Sequence, residues 1–206
     1  LVAISKDCFD NCTALTAVTI PSSVTRIGDG AFDDCEALAS IALPDGLTDI
    51  GDGAFRDCKA LTAISIPGNL KKINKAVFKG CEALKDVSLP ESIKSIEADA
   101  FNGCKNIESI NLPSNVTEIG NGAFEDCEAL VSIDLDKVQK IANNAFDRAR
   151  SLTEILLPNS LREVQTSAFR ECNALQQMDF PRGVTRIASS AMDNCNTMDH
   201  VTLPST

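Results

Sequence analysis

Cysteine is the residue type with the widest chemical range in this chain, because a thiol can form a disulfide, bind zinc or act as a nucleophile. The 206 residues include nine cysteines and a single histidine. Most of the cysteines share one register with a 23-residue step: Cys12, Cys35, Cys58, Cys81, Cys104, Cys127, Cys172 and Cys195. Such regular spacing indicates that a structural repeat places these thiols.

The cysteine series predicts buried free thiols. Equivalent cysteines on stacked coils lie close enough for a disulfide, but their parallel Cα–Cβ vectors make the required dihedral angle hard to reach. Zinc requires four convergent ligands, whereas a stacked series is a line. We therefore expect the thiols to pack as small apolar groups, with no metal site. Cys8 lies outside the series and close to Cys12, so a local disulfide between these two stays open.

The sequence contains few residues that could support catalysis. The histidine, His200, is predicted at a solvent-facing position of the last strand, so a Cys-His or Ser-His-acid site is nearly excluded by count. Carboxylate pairs such as Asp33-Asp34 and Glu125-Asp126 precede the periodic cysteines, where we expect solvated charge. Neither a Walker-type phosphate loop nor a dinucleotide fingerprint is present. The sequence predicts no enzyme and no cofactor.

The elements that carry these residues form one repeat. A Phe series runs from Phe9 to Phe169 in step with the cysteines, and a proline opens nearly every unit. Within a unit, Leu61-x-x-Ile64-x-Ile66-Pro67 indicates a short strand that the proline ends, and Val24-x-x-Ile27 indicates a second near-alternation. Gly28-Asp29-Gly30 and its equivalents suit turns with positive φ. Units of this length are coils of a solenoid, so residues 1–206 are predicted to be one domain of about nine coils.

Composition narrows the possible partners. Hydrophobic residues make up 44% of the chain and charged residues 23%, and no apolar run approaches the roughly 18 residues of a membrane helix. No membrane span is expected in this segment. The net charge of -10 argues against nucleic acid, because binding to phosphates requires a basic face.

The repeat resembles the leucine-rich repeat of the bacterial-surface, BspA-like class, also described as treponemal. Its motif, L-x-x-[IV]-x-[LI]-P-x-x-[LV]-x-x-I-x-x-x-A-F-x-x-C, is met over residues 38–58 and in nearly every other unit. The resemblance implies an α/β-type, strand-rich solenoid: a right-handed arc with a parallel sheet on its concave face and short turns, 3-10 or short strand segments on its convex face. It also implies adhesion or protein recognition at microbial and protist surfaces, without catalysis. An extracellular or cell-surface location follows, although buried free thiols also fit the cytoplasm.

The seventh unit departs from the pattern. Asp136 replaces the proline, one residue is missing before Val138, and Ala149 replaces the cysteine. Because loops tolerate changes of length, we expect only a tightened surface turn. Arg148 and Arg150 flank Ala149 and form a small basic spot, which we interpret as a solvated loop.

The outward positions of the predicted concave sheet are the candidate binding surface. Early units present Ala, Ser and Thr there, and later units present larger groups. The candidate ligand-binding residues are Lys85, Asp86, Glu108, Asn111, Val131, Asp134, Glu154, Leu156, Asp179, Asp199 and His200. Since the chain lacks Trp and Tyr, it has no aromatic platforms for sugars or bases, and a protein ligand is favoured. We predict a monomeric protein-recognition module; the alternative is a structural spacer within a larger surface protein.

The two ends of the sequence lack features of terminal coils. Leu1 occupies the position of Val24, so the chain begins within a repeat, and it ends just after Pro204, where another repeat would start. Solenoids need polar caps, so we expect a segment of a longer protein. Asn11 and Asn115 lie in glycosylation sequons whose occupancy stays open.

Overall fold

A computed structural model describes residues 1–204 as a stack of coils, most of which contain two short strands joined by turns. The strands in chain order are β1 (Ala3–Ile4), β2 (Ala17–Val18), β3 (Arg26–Ile27), β4 (Ser40–Ile41), β5 (Asp49–Ile50), β6 (Ala63–Ser65), β7 (Lys72–Ile73), β8 (Asp86–Ser88), β9 (Ser95–Ile96), β10 (Ser109–Ile110), β11 (Glu118–Ile119), β12 (Ser132–Ile133), β13 (Lys140–Ile141), β14 (Glu163–Val164), β15 (Gln177–Asp179), β16 (Arg186–Ile187) and β17 (His200–Thr202). The predicted strand-rich solenoid is confirmed. Residues 205 and 206 of the predicted domain lie outside the described residues.

Both predicted strand segments form parallel pairs between successive coils. The Leu-x-x-Ile-x-Ile segment, here called the first series, gives the pairs β2–β4, β6–β8, β10–β12 and β15–β17. The Val-x-x-Ile segment, the second series, gives a three-stranded sheet β1–β3–β5 and a six-stranded sheet in the order β7–β9–β11–β13–β14–β16. Each residue pairs with its equivalent one repeat later, as in Ile64 with Val87. This register places like residues on like residues.

The missing residue of the seventh coil changes the strand pairing only locally. Ile119 pairs with Ile141 at a spacing one residue shorter than usual, and Ile141 then pairs with Val164 at the normal spacing. The second series therefore runs through the seventh coil without a break. In the first series the same coil has only an isolated bridge between Asp134 and Leu156. The deletion shortens the turn between the two strands, as predicted, and Leu156 keeps a single bridge to the preceding coil.

The helical part of the predicted fold class is wrong for residues 1–204, which contain neither an α-helix nor a 3-10 helix. The physical reason is that two residues in every coil adopt left-handed backbone conformations, with φ between 53° and 75°. They flank the periodic Phe and prevent a right-handed helix from continuing. The first of these positions is occupied by Asp7, Gly30, Gly53, Ala76, Asp99, Gly122, Asn144, Ser167 and Ser190, and the second by Asn11, Asp34, Asp57, Gly80, Gly103, Asp126, Arg148, Glu171 and Asn194.

The two glycines of the Gly-x-Gly turns serve different purposes. Gly30 has a φ of 57°, in line with the prediction of a turn with positive φ. Gly28 does not adopt a left-handed conformation; a Cβ added there would lie 2.5 Å from the backbone nitrogen of Lys6 in the preceding coil. Its absence of a side chain allows close backbone approach instead.

The Phe series forms one continuous stack through the core. Ring centroids of successive Phe residues from Phe9 to Phe169 are 5.1 to 5.8 Å apart, and their planes are within 16° of parallel. Such offset stacking is a favoured arrangement of aromatic rings. The rings are buried from Phe32 onwards, and Phe180, directly after β15, is buried as predicted. This stack is the apolar axis of the solenoid.

The cysteine series lies beside the Phe stack, and all nine cysteines are free. From Cys35 to Cys195, each Sγ of the series lies 3.1 to 3.3 Å from the backbone oxygen of the Phe in the preceding coil and donates to it. The thiol thus fills space and also satisfies a turn carbonyl. Ala149 interrupts this pattern. Cys8 and Cys12 are exposed and not joined to each other.

Thiol reactivity should follow this burial. Burial raises the pKa of Cys35 to about 11 and raises the pKa of Cys104 well above its usual range, so the reactive thiolate is scarce in the core. In native buffer, iodoacetamide should modify Cys8 and Cys12 first, half-buried Cys195 more slowly, and the six buried cysteines only after denaturation. Mass spectrometry of peptides after timed labelling measures this order. Native labelling of Cys104 at the rate of Cys8 would contradict the packing.

The left-handed turns predict a stabilising substitution. Ala76 has a φ of 54°, a conformation that costs an L-residue about 1–2 kcal/mol and glycine very little. Ala76→Gly should therefore raise the free energy of unfolding by about 0.5–1 kcal/mol, after allowing for the greater backbone entropy of glycine. The control Ala98→Gly, at a half-buried residue without a left-handed φ, should lower it by a similar amount. Urea titration measures both, and equal destabilisation would argue against the turn geometry.

Candidate functional site

The candidate site is the strand face, which we define as the outward residues of the first series and of the equivalent segment in the seventh coil. Every residue predicted there is exposed. The strand pairs also align them as columns, because Ala63 pairs with Asp86 and Gln177 with His200. The structure thus brings the predicted residues onto one surface. It spreads them over several coils, so they do not converge on a single point.

A groove runs along this face across the coils. One part, of about 690 Å³, has a floor of small residues that includes Ala42, Ala63 and Ser65, with the Lys85 and Glu108 side chains at its edge. A second part, of about 300 Å³, shares Ser109 and Asn111 with the first and extends to Asp134, Glu154 and Leu156. The small residues of the early coils, which looked featureless in the sequence, make room for this groove.

Two apolar side chains interrupt the polar strand face. Leu156 is 74% exposed and Val131 is 44% exposed. At the position of Leu156 the neighbouring coils carry Asp134 and Asp179, and most other coils carry small polar residues. Leu156 also lines the second part of the groove. An exposed leucine on a rigid surface is a candidate anchor for a partner.

The charges of the strand face are mostly negative and mostly unpaired. Lys85 donates to Glu108 at 2.9 Å, which pairs the one cation among the predicted residues with the acid of the next coil. Within residues 1–204, no ion pair forms at the remaining predicted acids, which are Asp86, Asp134, Glu154, Asp179 and Asp199. The face therefore offers uncompensated carboxylates, which favour a cationic partner.

His200 lies where the sequence places it, exposed on β17. Its Nε2 is 3.2 Å from Oγ1 of Thr202, two residues along the same strand. The cysteines nearest in sequence point into the core or lie in the turn before the strand. Nothing in the described part of the chain assembles His200 into a nucleophile and base pair.

The predicted solvation of the carboxylates in the turn before each cysteine is wrong at Asp33, and the predicted pairs are otherwise only half-buried. Asp33 is buried and accepts a hydrogen bond from Nε of Arg56 in the next coil at 2.9 Å, and a second from Nη2. Asp147 is buried almost completely and accepts from Nη2 of Arg170 at 2.6 Å. The prediction failed because the partner lies a full repeat away, where stacking brings it alongside. Opposite charges at equivalent positions of adjacent repeats were the available signal.

Arg148 is the centre of the largest of these ion-pair clusters, so the predicted basic spot is wrong at this residue. Its guanidinium contacts Asp126 at 2.5 and 2.7 Å, Glu125 at 2.8 Å and Asp147 at 3.5 Å. Arg150 lies 3.7 Å from Glu171, across a looser contact. The arginine that replaces a turn residue in the irregular coil thus forms ion pairs with three acids. We assign this cluster to stability.

The surroundings of these acids shift their pKa values in different directions. Hydrogen bonds from Arg148 lower the pKa of Asp126, whereas burial raises the pKa of Glu125. Burial also raises the pKa of Asp33. Carboxylate oxygens of Asp10, Asp33 and Asp34 lie within 4.8 Å of one another, a spacing that metal sites share. Because Asp33 is already bound by Arg56, we interpret this group as part of the ion-pair system.

The Arg148 cluster makes a prediction about acid stability. Arg148→Gln should lower the free energy of unfolding at pH 7 by about 2 kcal/mol, since it leaves the half-buried Glu125 and Asp126 without their arginine, while Asp147 keeps Arg170. The stabilisation through Asp126 is complete above its unfolded pKa of 3.8 and is lost as pH falls through the lower folded pKa. The difference between the two proteins should therefore narrow below about pH 4.

Urea titrations between pH 7 and pH 3 measure this difference. The matched control is Lys59→Gln, which removes the same charge from an exposed pair with Glu36 and should cost much less stability, because water screens that pair. Equal losses in the two variants, or a difference that stays constant with pH, would contradict the assignment of Arg148.

Solved structures of other proteins share the fold described above. The T. pallidum leucine rich repeat protein TpLRR is 32% identical, with 85% of this chain and 72% of that chain covered at a TM-score of 0.56. A leucine rich cell surface protein from Faecalibacterium prausnitzii A2-165 is 24% identical over 98% of this chain and 76% of that chain, with a TM-score of 0.53. The pneumococcal vaccine antigen PcpA is 20% identical over 98% of this chain and 67% of that chain, with a TM-score of 0.57. The last two show the fold alone.

The family itself is established by sequence. No curated protein sequence matches the chain. The described residues contain no helix with the length and apolar character needed to cross a membrane. A family model described as the BspA type leucine rich repeat region matches residues 2–131 and 94–206, with six copies. The chain therefore belongs to the BspA type leucine rich repeat family.

Proposed function

We propose that this chain is a non-catalytic recognition module that binds a protein partner through the strand face. Membership of a repeat family found in bacterial surface proteins suggests an interaction or surface module. The observation that carries the specific proposal is Leu156, which is 74% exposed in a groove and is bordered by acids. By the same reasoning, we place the module at the cell surface.

Leu156 supplies the apolar part of the binding energy. Full burial of a leucine side chain contributes about 1.5–3 kcal/mol, and its exposure leaves most of that available to a partner. Val131 lies in the preceding coil and adds a second, smaller apolar contact. The sheet holds both side chains on a rigid surface, so little conformational entropy is lost on binding.

The acids of the strand face orient the partner and make the binding specific. Asp134 pairs with Leu156 across the bridge, and Glu154 lies two residues before Leu156. Asp179 occupies the equivalent position in the following coil. A partner segment with an apolar side chain and flanking Lys or Arg complements this arrangement. Opposite charge also accelerates association at low ionic strength.

The structural spacer is a second candidate, favoured by the early coils. At the outward positions of the first three coils the strand face carries only Ala, Ser and Thr, as at Ala17, Ser40 and Ala63. These residues offer no anchor and little charge. The two proposals differ in whether coils four to nine bind anything.

The proposal predicts loss of binding when the later coils are changed. Surface proteins from microbial and host cells should be captured on the immobilised chain, and each captured partner should then be purified and titrated. Leu156→Ser, which introduces the residue found at the equivalent positions 65 and 88, should weaken binding about tenfold. Charge reversal to Lys at Glu108, Asp134, Glu154 and Asp179 together should weaken binding further and slow association.

The matched control reverses four exposed acids off the strand face, namely Asp45, Asp52, Glu91 and Asp193, with the same change in net charge. Thermal unfolding of every variant establishes that it is folded. A partner held equally by both charge-reversed proteins would show that the strand face is not the binding surface. A folded chain that captures no protein would support the spacer.

A further inference from the structure

Three lysines lie together on the outward surface of the second series. Lys71 and Lys72 precede the inward Ile73, and Lys94 occupies the equivalent of Lys71 in the next coil. The backbone nitrogen of Lys94 donates to the oxygen of Lys71 at 2.8 Å, so these two lysines are stacked on adjacent coils. Lys72 pairs with Ser95 across β7 and β9. All three side chains are exposed, and we call them the lysine patch.

The acids on the strands that flank the lysine patch, Asp49 and Glu118, are already paired with cations. In the preceding coil Asp49 is 3.2 Å from Arg26, and two coils along the sheet Glu118 accepts from Lys140 at 2.8 Å. Glu97, three residues after Lys94, is half-buried and accepts from the hydroxyl of Ser95 at 2.7 Å. Within residues 1–204, no ion pair forms at the lysine patch itself. Its positive charge is therefore available to a ligand.

The second series as a whole is more basic than the strand face. Its outward basic residues are Arg26, Lys71, Lys72, Lys94, Lys140, Arg162 and Arg186, and its outward acidic residues are Asp49, Glu118 and Glu163. This excess occurs in a chain whose net charge is -10. The negative charge is thus distributed unevenly over the surface, and net charge alone does not describe what this sheet would bind.

The repeat itself does not require lysine at these positions. Thr48 and Thr117 occupy the equivalents of Lys71 and Lys94 in the flanking coils, and Ser95 occupies the equivalent of Lys72. Like charges on adjacent strands repel each other, so the stacked pair carries a small cost in stability. The flanking coils keep the rest of the repeat motif without a lysine at this position. A ligand that neutralises the pair accounts for residues that packing leaves unexplained.

We propose that the lysine patch binds an anionic polysaccharide, a linear chain with carboxylate or sulfate groups. Stacked lysines repeat along the solenoid axis at the spacing of adjacent strands, about 4.8 Å, so successive anionic groups of an extended chain can meet successive ammonium groups. Lysine is a compact charge with three donors, suited to anions of varied geometry. This contact depends on charge and hydrogen bonds, so the absence of Trp and Tyr does not oppose it.

The surroundings of the patch favour a narrow polyanion over other anionic partners. A nucleic-acid duplex is wide and would also bring phosphates over Asp49 and Glu118 on either side. A lipid surface is flat and extended, and the residues that flank the patch, Thr48, Ser95 and Thr117, offer nothing apolar to insert. A single polysaccharide chain that follows Lys71 and Lys94 along the solenoid axis would continue over Thr48 and Thr117, which belong to the same column, and not over the column of Asp49 and Glu118.

The net negative charge of the protein is compatible with this site. At physiological ionic strength, charges farther apart than a Debye length of about 8 Å are largely screened. A ligand in contact with the lysine patch therefore responds mainly to the patch and to the adjacent coils, where Asp49 is already paired with Arg26. Binding should weaken as salt is added, because each contact replaces ions held near the polyanion. The site is separate from the strand face and does not depend on the function proposed for it.

The test measures binding to defined polyanions at low ionic strength. Heparin supplies sulfate groups, polygalacturonate supplies carboxylates alone, and neutral dextran is the blank. The patch variant carries Lys71→Thr, Lys94→Thr and Lys72→Ser, each a residue of an equivalent position in a flanking coil. The control variant carries Lys6→Thr, Lys59→Thr and Lys105→Thr, which removes the same charge from lysines that pair with Asp7, Glu36 and Glu82.

We expect the unmodified chain to bind heparin, polygalacturonate or both, and the patch variant to bind about tenfold more weakly, as the loss of three exposed charge contacts implies. The control variant should bind like the unmodified chain. Equal weakening in both variants would overturn the site, as would no binding by the folded, unmodified chain. Duplex DNA and vesicles of anionic lipid form two further arms. Tighter, patch-dependent binding to either would overturn the assignment to polysaccharide.

Discussion

The backbone hydrogen bonds between successive coils are the interaction on which the rest of the structure depends. They place each residue beside its equivalent one repeat later, as shown by Ile64 with Val87 and Ile141 with Val164. Contacts between coils therefore join equivalent positions or positions a few residues from them. A buried position must suit a copy of itself above and below, whereas an exposed position has no such constraint. The uniform interior and the varied surface follow from this one rule.

The interior shows what that rule favours. Phenylalanine stacks on phenylalanine with nearly parallel planes, and each thiol of the cysteine series from Cys35 onwards donates to a backbone oxygen of the preceding coil. Two left-handed residues in each coil turn the chain around the Phe without a helix. Where the seventh coil loses its cysteine and one residue, the six-stranded sheet continues and the change is confined to the turn and to the bridge at Leu156.

The surface shows the opposite behaviour, because equivalent positions differ and their charges interact across coils. Where the signs alternate, ion pairs form, as between Asp33 and Arg56. Where they do not, charge remains available: carboxylates on the strand face and ammonium groups at the lysine patch. The same rigid scaffold thus presents an acidic, partly apolar groove on one strand series and a basic site on the other. Both proposed binding sites lie where surface charges have no partner of opposite sign.

The sequence by itself determined the coil length, the buried columns and the membership of each outward column, since these depend only on periodicity. The spacing alone assigns residues such as Phe55 and Cys58 to the interior and Leu156 to the surface. The left-handed turns, the burial of Asp147 and the pairing of Arg148 could not be predicted in this way, because neither backbone dihedral angles nor the side-chain reach across adjacent coils follows from spacing. The groove over Ala42 and Ala63 also required the tertiary structure. Periodicity decides which residues are stacked, but only packing in three dimensions decides how far apart their side chains lie and which charges remain unpaired.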